Sequence, residues 1–193
     1  MKFQSKLPDL GITIFSVMTQ LAIEHGAINL SQGFPNFDTY PELISLVDKY
    51  MRQGHNQYAP MQGVMVLRQR IAEKVSDIYG AQYDPATEIT VTSGATESVF
   101  AAISAIVNKD DEVIIFEPAY DAYAPVVQLN GGIPIFLQLK FPHYQIDWNL
   151  VKHTVNSKTK LIILNYPHNP TGAVLSKEDI SSLSQIVEET QIF

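Results

Sequence analysis

Three short polar segments contain residue types that could bind a charged, aromatic small molecule. They are Ser93-Gly94-Ala95-Thr96-Glu97, Glu117-Pro118-Ala119-Tyr120-Asp121-Ala122-Tyr123 and Asn165-Tyr166-Pro167-His168-Asn169-Pro170-Thr171-Gly172. Each directly follows a short apolar segment that is typical of a buried strand. In an open α/β sheet, ligands bind at the edge where the strands have their carboxyl ends. The sequence therefore predicts a ligand site built from loops at that edge.

The first segment has the properties of an anion site. It opens an amphipathic helix whose apolar stripe is Val99, Ala102, Ile103 and Ile106. Unpaired N–H groups at a helix N-terminus attract phosphate, and Gly94 lets an anion approach the backbone closely. The alternative is a capped strand-to-helix turn without a ligand. The segment matches neither G-x-G-x-x-G nor a P-loop, which disfavours a dinucleotide or a nucleoside triphosphate.

The other two segments supply an aromatic ring and an amide. Tyr120 could stack on a flat heterocycle, or it could fill the loop against the first helix. Two prolines and a glycine constrain the third loop, which favours a role for its amide side chains, and Asn169 can donate a hydrogen bond to a phenolate-like oxygen. His168 has no partner at metal or triad spacing, so we interpret it as a packed or solvated loop residue.

Apolar periodicity predicts an α/β fold that follows an N-terminal helical region. Helices are expected from Ile14 to Gly26, from Pro41 to Gly54 and from Gly63 to Gly80. The predicted strands cover 89–92, 112–116, 134–139 and 161–165, and 191–193 resembles the start of a fifth. Further helices are expected near Gly94, Tyr120 and Asp147 and at Ser176, where Ser176-Lys177-Glu178-Asp179 resembles a capping box. The alternation is typical of parallel strands joined by crossover helices.

Composition excludes several classes of protein. The 193 residues are 46% hydrophobic and contain no cysteine, unlike disordered, collagen-like or disulfide-stapled chains. Against 20 acidic residues there are only 13 Lys and Arg, giving a net charge of −7, so we expect no nucleic acid partner. The first residues lack the apolar core of a signal peptide, and no apolar run reaches the roughly 20 residues of a membrane span. We expect a cytoplasmic protein without a membrane or metal partner.

The third segment resembles the N-x-P-x-N-P-x-G motif of the class I and II aminotransferases, which are pyridoxal-phosphate enzymes of fold type I. The other two segments occur in the order, and near the separations, that this family shows. The resemblance covers nearly the whole chain. The stretches 15–22, 30–35 and 56–60 are most similar to the branch that contains the methionine, kynurenine and glutamine transaminases.

This resemblance implies pyridoxal 5′-phosphate as the cofactor and gives a role to each matched position. Gly94 and the backbone N–H groups of Ala95 and Thr96, with the Thr96 hydroxyl, would bind the phosphate. Tyr120 would stack on the pyridine ring, and Asn169 would donate a hydrogen bond to the 3′ oxygen of the ring.

Three further positions have implied roles. Asn165 would support the cofactor-binding residues, and Gly33 would face the substrate carboxylate. Tyr58 would reach across the interface of a homodimer to the cofactor phosphate of the other subunit. The implied fold is a three-layer, mostly parallel sheet. Residues 41–193 would form an incomplete large domain, and residues 1–40 an N-terminal arm or small-domain segment.

The implied activity is transfer of an amino group from an amino acid, methionine or an aromatic one, to a 2-oxo acid. In this family a lysine forms the Schiff base with the cofactor, an aspartate keeps the ring nitrogen protonated and an arginine binds the substrate carboxylate. None of the three has a match here, and Lys160, in a formal S-x-x-K string, precedes a strand as a solvated charge. We therefore assign no catalytic residue and expect an N-terminal half that is inactive alone.

Other functions share parts of this pattern. A cysteine-conjugate β-lyase of the same family has every motif quoted above. A noncatalytic α/β binding remnant would use the phosphate site alone. A nucleotide-binding Rossmann domain is disfavoured because its glycine fingerprint is missing.

Overall fold

The computed structural model describes residues 4–8, 10–33 and 35–193, which form two compact units. One unit is Ile12–Ser93, and the other is Gly94–Phe193 with the segment up to Gly11. The elements, in chain order, are α1 (Ile14–Glu24), α2 (Pro41–Arg52), α3 (Met65–Tyr79), α4 (Ala95–Ile106), β1 (Glu112–Glu117), α5 (Tyr123–Leu129), β2 (Ile133–Gln138), α6 (Trp148–Thr154), β3 (Thr159–Ile163) and α7 (Lys177–Thr190). The division of roles between residues 1–40 and 41–193 stays a prediction.

The Ile12–Ser93 unit consists of three helices whose ends follow local signals. Thr13 caps α1 by accepting a hydrogen bond from the Ser16 N–H, Pro41 opens α2, and Gly80 ends α3 in a left-handed conformation with φ 69°. In the described part of the chain, neither α1 nor α2 has a buried residue. No described helix is both long and apolar enough to span a membrane.

The buried residue of α3, Arg68, connects that helix to the segment after it. Its guanidinium group donates hydrogen bonds to the carbonyls of Gly63, Pro85 and Ala86 at 3.1, 2.8 and 3.2 Å. Because every one of these acceptors is a backbone oxygen, a loop without regular structure is held in one conformation.

The predicted strand over 89–92 is wrong. This segment does not form a strand, and the Val91 N–H donates to the Gln62 carbonyl at 3.0 Å. Its β-rich composition satisfies the local preference for a strand. A strand also needs a neighbour whose backbone completes the ladder, and local composition does not supply one.

The second unit is built on a parallel sheet with the strand order β2-β1-β3. The central strand β1 alternates between two apolar clusters, with Val113 and Ile115 in one and Ile114 and Phe116 in the other. The first cluster includes buried residues of α4 and α5, and the second includes buried residues of α6 and α7. Helices therefore cover both faces of the sheet, which confirms the predicted three-layer α/β fold.

The register of the sheet determines which loops emerge together. β1 pairs with β3 up to Ile115 and Ile163, and with β2 up to Glu117 and Gln138. Since the strands are parallel, the loops after β1 and β3 leave the sheet at the same edge. These loops contain the second and third of the three polar segments.

Most predicted elements are found with boundaries shifted by a few residues. The helix expected near Tyr120 begins at Tyr123, and the capping box of Ser176 and Asp179 is present at the start of α7. At the end of the chain, the Phe193 carbonyl accepts a hydrogen bond from the Ile162 N–H at 2.9 Å, and the Phe193 N–H donates to the Lys160 carbonyl at 3.2 Å. This is the bonding pattern of a parallel strand pair, as predicted for 191–193.

Candidate functional site

A small cleft lies beyond the carboxyl ends of β1 and β3. It brings together the three predicted ring-binding residues Tyr120, Asn165 and Asn169, which are far apart in the chain. The other lining residues are Ile115, Phe116, Ala119, Tyr123, Ile163, Tyr166 and His168. The enclosed volume is only about 10 Å³. The lining residues therefore form a surface on which a flat molecule could lie rather than a cavity that surrounds one.

Tyr120 is half-buried and is held by a second tyrosine. Its ring meets that of Tyr123 edge to face, with 5.6 Å between centroids and 71° between planes. Burial, and then the proximity of Tyr120, raise the pKa of Tyr123, so the Tyr123 phenol is neutral near pH 7. The edge contact limits the orientations of the Tyr120 ring and favours a fixed stacking surface.

The loop after β3 buries one side chain and exposes the next. His168 is only 5% exposed, whereas Pro167, Asn169 and Pro170 are exposed. The backbone closes around His168, whose N–H donates to the Ala173 carbonyl and whose carbonyl accepts from the Gly172 N–H, both at 2.7 Å. The Asn169 amide is thereby carried on a closed turn at the edge of the cleft.

The ring of His168 is held within its own loop. Its Nδ1 lies 2.8 Å from the Thr171 hydroxyl. Burial lowers the pKa of His168, and the backbone of Pro118, in the loop after β1, opposes that shift only in part. The ring is therefore neutral near pH 7.

Tyr166 contributes its ring to the cleft and buries its hydroxyl. The ring centroid lies 5.4 Å from that of His168. The hydroxyl oxygen is buried without a hydrogen-bond partner among the described residues, and burial followed by the charge of Asp179 raises the pKa of Tyr166. The phenol is thus neutral, and its aromatic face is the part available to the cleft.

The predicted phosphate-binding residues open α4. Gly94 precedes the helix with φ 88° and ψ 170°, and Ala95 and Thr96 are its first two residues. The N-cap residue is Gly94 itself, which has no side chain with which to cap the helix. The three residues are not among those that line the cleft, and their role in binding phosphate stays a prediction.

Two predicted residues belong to the Ile12–Ser93 unit. Tyr58 is fully exposed. Gly33 lies exposed in a loop, and no described residue beyond its chain neighbours has an atom within 4 Å of where a Cβ would be. Phe34, in the stretch quoted for the resemblance, lies outside the described residues. The substrate role of Gly33 and the intersubunit role of Tyr58 stay predictions.

Sequence reasoning missed the hydrogen bond between His168 and Thr171 and the contact between Tyr123 and Tyr120. The packed environment of His168 agrees with one of the two interpretations given from the sequence. The second tyrosine of the E-P-A-Y-D-A-Y string is the only signal that pointed toward the aromatic pair.

Comparison with known proteins gives consistent results. The family model for aminotransferase class I and II matches residues 25–193. Methionine aminotransferase of Escherichia coli (strain K12) is 49% identical over 98% of this chain, and the probable N-succinyldiaminopimelate aminotransferase DapC of Mycobacterium tuberculosis is 38% identical over 94%. The chain spans about half the length of these curated relatives, 49% and 46% respectively.

Solved structures give the same result at the level of the fold. YbdL from Escherichia coli, identified as a methionine aminotransferase, superimposes with a TM-score of 0.96 at 48% identity, over 100% of this chain and 50% of YbdL. N-succinyldiaminopimelate aminotransferase from Mycobacterium tuberculosis superimposes with a TM-score of 0.92 at 36% identity, over 99% of this chain and 50% of that one.

Proposed function

The chain belongs to the aminotransferase class I and II family, and on this premise we propose that the protein transfers an amino group from an amino acid to a 2-oxo acid. The family depends on pyridoxal 5′-phosphate. Methionine is the proposed amino donor, with aromatic amino acids next. This choice is supported by the 49% identity to a protein named methionine aminotransferase and by the sequence stretches quoted above.

The observation that carries the proposal is the convergence of Tyr120, Asn165 and Asn169 on one cleft. These residues come from loops after two adjacent parallel strands. A half-buried aromatic ring beside an exposed amide fits a flat heterocycle that bears an oxygen substituent. The residues present therefore suit the cofactor that the family uses.

We assign roles to residues of this chain as follows. The Tyr120 ring would lie against the cofactor ring and exclude water from one face. The Asn169 amide would donate a hydrogen bond to the ring oxygen, with Asn165 supporting it. The N–H groups of Ala95 and Thr96 would donate to the phosphate, where the positive end of the α4 dipole also favours negative charge.

When bound, the cofactor supplies an electron sink for the charge left on the substrate α carbon after proton loss. No lysine is among the residues that line the cleft. We propose that the lysine that moves this proton, the aspartate at the ring nitrogen and the arginine for the substrate carboxylate are supplied by residues outside this chain. The chain would then provide the phosphate site and one wall of the ring site.

Gly33 and Tyr58 extend the proposal to the substrate and to assembly. An exposed glycine with open space around its Cβ position leaves room for an amino acid carboxylate. A fully exposed tyrosine is available to a second subunit. We propose that Gly33 faces the substrate and that Tyr58 contacts the cofactor phosphate of the partner in a cytoplasmic homodimer, as the resemblance implies.

The proposal is tested with the complete protein that contains these residues. Purified protein is incubated with pyridoxal 5′-phosphate, methionine and a series of 2-oxo acids, and formation of the new amino acid is measured. A parallel assay measures pyruvate release from a cysteine conjugate, which is the product expected of a β-lyase. Amino transfer dominating over pyruvate release supports the proposal, and the reverse ratio supports the β-lyase. The 193-residue chain alone should show neither activity, and a protein that binds no pyridoxal phosphate would overturn both enzyme assignments.

A further inference from the structure

The segment that leads to Gly33 is attached to α1 by its side chains. Just past the end of α1, the Ala27 N–H donates to the Ala22 carbonyl at 2.8 Å. Within the described part of the chain, no hydrogen bond between two main-chain groups involves residues 28–33. Side-chain contacts therefore determine where this segment lies relative to the helix.

Thr19, in the middle of α1, is the point of attachment. Its hydroxyl accepts a hydrogen bond from the Asn29 side-chain nitrogen at 3.1 Å and donates to the Gln32 side-chain oxygen at a longer 3.4 Å. Asn29 lies 10 residues after Thr19 and beyond the end of the helix, so the chain turns back along α1 to make this contact. Because a hydroxyl both accepts and donates, one side chain holds two points of the segment.

Asn29 connects Thr19 to the residues just before Gly33. Its side-chain oxygen accepts a hydrogen bond from the Ser31 N–H at 2.9 Å and another from the Ser31 hydroxyl at 2.6 Å. The nitrogen of the Asn29 amide is thus used toward the helix, and the oxygen toward a residue two positions before Gly33. Gln32, the other partner of Thr19, directly precedes Gly33.

The segment uses its polar side chains, and not its apolar ones, for these contacts. Asn29 and Ser31 are half-buried, whereas Ile28 and Leu30 are 86% and 89% exposed. Apolar contacts have no preferred direction, but hydrogen bonds require a defined distance and angle. Polar contacts of this kind therefore hold the segment in one position along α1.

We propose that Thr19 and Asn29 are positioning residues, which determine the position of Gly33 so that it can receive the carboxylate of the amino acid substrate. This rests on the proposed function, in which Gly33 faces that carboxylate. A glycine has no side chain that could anchor it, so the residues before it must do so. Neither Thr19 nor Asn29 touches the substrate. We call the hydrogen bond between them the Thr19–Asn29 link.

Substitutions can break the Thr19–Asn29 link with little change in side-chain volume. Thr19→Val removes the hydroxyl, and Thr19→Ser keeps it. Asn29→Ala removes the link together with the other hydrogen bonds of the Asn29 side chain. Gln20→Ala is the matched control, because Gln20 lies on the same helix and its side-chain amide donates to Glu24, within α1, at 2.7 Å. Gly33→Ala changes the residue that faces the carboxylate and leaves the link intact.

The experiment uses the complete protein loaded with pyridoxal 5′-phosphate. The probes are two analogues of the amino acid that the wild type transfers best, which is methionine in the proposal: one lacks the amino group and the other lacks the carboxylate. Calorimetry gives the dissociation constant of each analogue, and equilibrium dialysis gives that of the cofactor. Only the analogue that keeps the carboxylate reports on the position of Gly33.

We expect Thr19→Val to weaken binding of the carboxylate-containing analogue by about fivefold, and Asn29→Ala and Gly33→Ala to weaken it by about tenfold. The double variant of Thr19→Val and Asn29→Ala should bind it no more weakly than Asn29→Ala does, because both substitutions break one link. Thr19→Ser and Gln20→Ala should stay within about twofold of wild type, as should the other analogue and the cofactor in every variant.

Steady-state kinetics gives a second measurement. The KM for the amino acid should rise in Thr19→Val and Asn29→Ala by the same factors, while kcat stays within about twofold of wild type, because a misplaced Gly33 weakens binding of the carboxylate before and during the reaction alike. A fall in kcat with KM unchanged would overturn the link.

The outcomes separate the Thr19–Asn29 link from the proposed function. Equal weakening of both analogues in Thr19→Val would indicate a general effect on folding and would overturn the link. Normal binding by Thr19→Val, while Gly33→Ala weakens it, would overturn the link and leave the proposed function intact. Normal binding by Gly33→Ala would overturn the link as well, because Gly33 would then not face the carboxylate. If wild-type protein binds no pyridoxal phosphate or transfers no amino group, the proposed function itself fails.

Discussion

Tyr120 combines two properties that a stacking residue needs. Its ring is partly exposed to the cleft, and its edge contact with Tyr123 restricts its rotation. The hydroxyl group plays no part in stacking, so the aromatic face alone should account for the contribution to binding. Substitutions can therefore test the contribution of the ring separately from that of its hydroxyl group.

We predict that Tyr120→Phe keeps affinity for pyridoxal 5′-phosphate within about threefold, whereas Tyr120→Leu weakens it by about tenfold, or ~1.4 kcal/mol. Equilibrium dialysis of the complete protein measures both. The exposed Tyr79→Leu, on α3, is the control and should bind as wild type does. Similar affinities for the Phe and Leu variants would show that Tyr120 only fills the loop.

Because His168 is buried, its contribution to the free energy of unfolding depends on pH, and the direction of its pKa shift gives the sign. Its folded pKa lies below the ordinary value of 6.5, so the unfolded chain binds the proton more readily than the folded one. The stability that the neutral ring contributes is therefore complete above about pH 6.5. It is lost as the pH falls from there through the folded pKa.

We predict that the free energy of unfolding of the wild type falls relative to that of His168→Gln as the pH is lowered from 8 to 5. Glutamine does not titrate, so the difference between the two isolates the imidazole. Urea titrations at several pH values, followed by circular dichroism, provide the measurement. A difference that is constant over this range, or that grows in favour of wild type at low pH, would contradict the prediction.

At the scale of elements, the start of α4 depends on one backbone conformation. Gly94 has φ 88° and ψ 170°, a region that side chains other than hydrogen rarely allow. Beyond its chain neighbours, no described residue has an atom within 4 Å of where a Cβ would stand. A larger residue would therefore meet strain from the backbone and not from crowding.

We predict that Gly94→Ala destabilises the protein by roughly 1–3 kcal/mol and weakens binding of inorganic phosphate, because the first turn of α4 must shift. Denaturant unfolding and phosphate inhibition are measured side by side. Gly11→Ala is the control, since Gly11 also has open space around it but no positive φ. If Gly94→Ala is destabilised but binds phosphate as the wild type does, the N-terminus of α4 is not part of the proposed site.

The side chain of Asp179 both caps α7 and contacts a residue of α6. Asp179 completes the capping box with Ser176 and accepts a hydrogen bond from the Trp148 indole at 2.7 Å. Burial raises the pKa of Asp179, but the hydrogen bonds from Trp148 and Ser176 together outweigh that effect and lower it. The carboxylate is thus charged at neutral pH and joins the two helices.

At the scale of the whole molecule, large apolar side chains of α2 are exposed, among them Leu43, Ile44 and Val47. An amphipathic helix with an unburied apolar face normally packs against another element.

We predict that the 193-residue chain alone self-associates and binds a hydrophobic dye, because these side chains would remain in contact with water. Light scattering and dye fluorescence measure this, with the complete protein as the control. Replacing Leu43, Ile44 and Val47 together by serine should reduce the association. A monodisperse monomer that does not bind the dye would contradict the prediction.

What could be predicted from the sequence was local in origin. The capping box of Ser176 and Asp179, the opening of α2 at Pro41 and the burial of β1 all follow from neighbouring residue types. The three polar segments were recognised because each follows an apolar run, and the family was recognised from the motif in the third segment.

Only the tertiary structure decided how distant segments pair. The stretch 89–92 has the composition of a strand but forms none, whereas Phe193 pairs with β3 through two hydrogen bonds. Tyr120 and Asn169 likewise line one cleft because β1 and β3, which precede their loops, are adjacent. Helix caps and apolar periodicity are properties of a few consecutive residues, while strand pairing and contacts between loops depend on which distant backbone groups the fold brings within hydrogen-bonding distance.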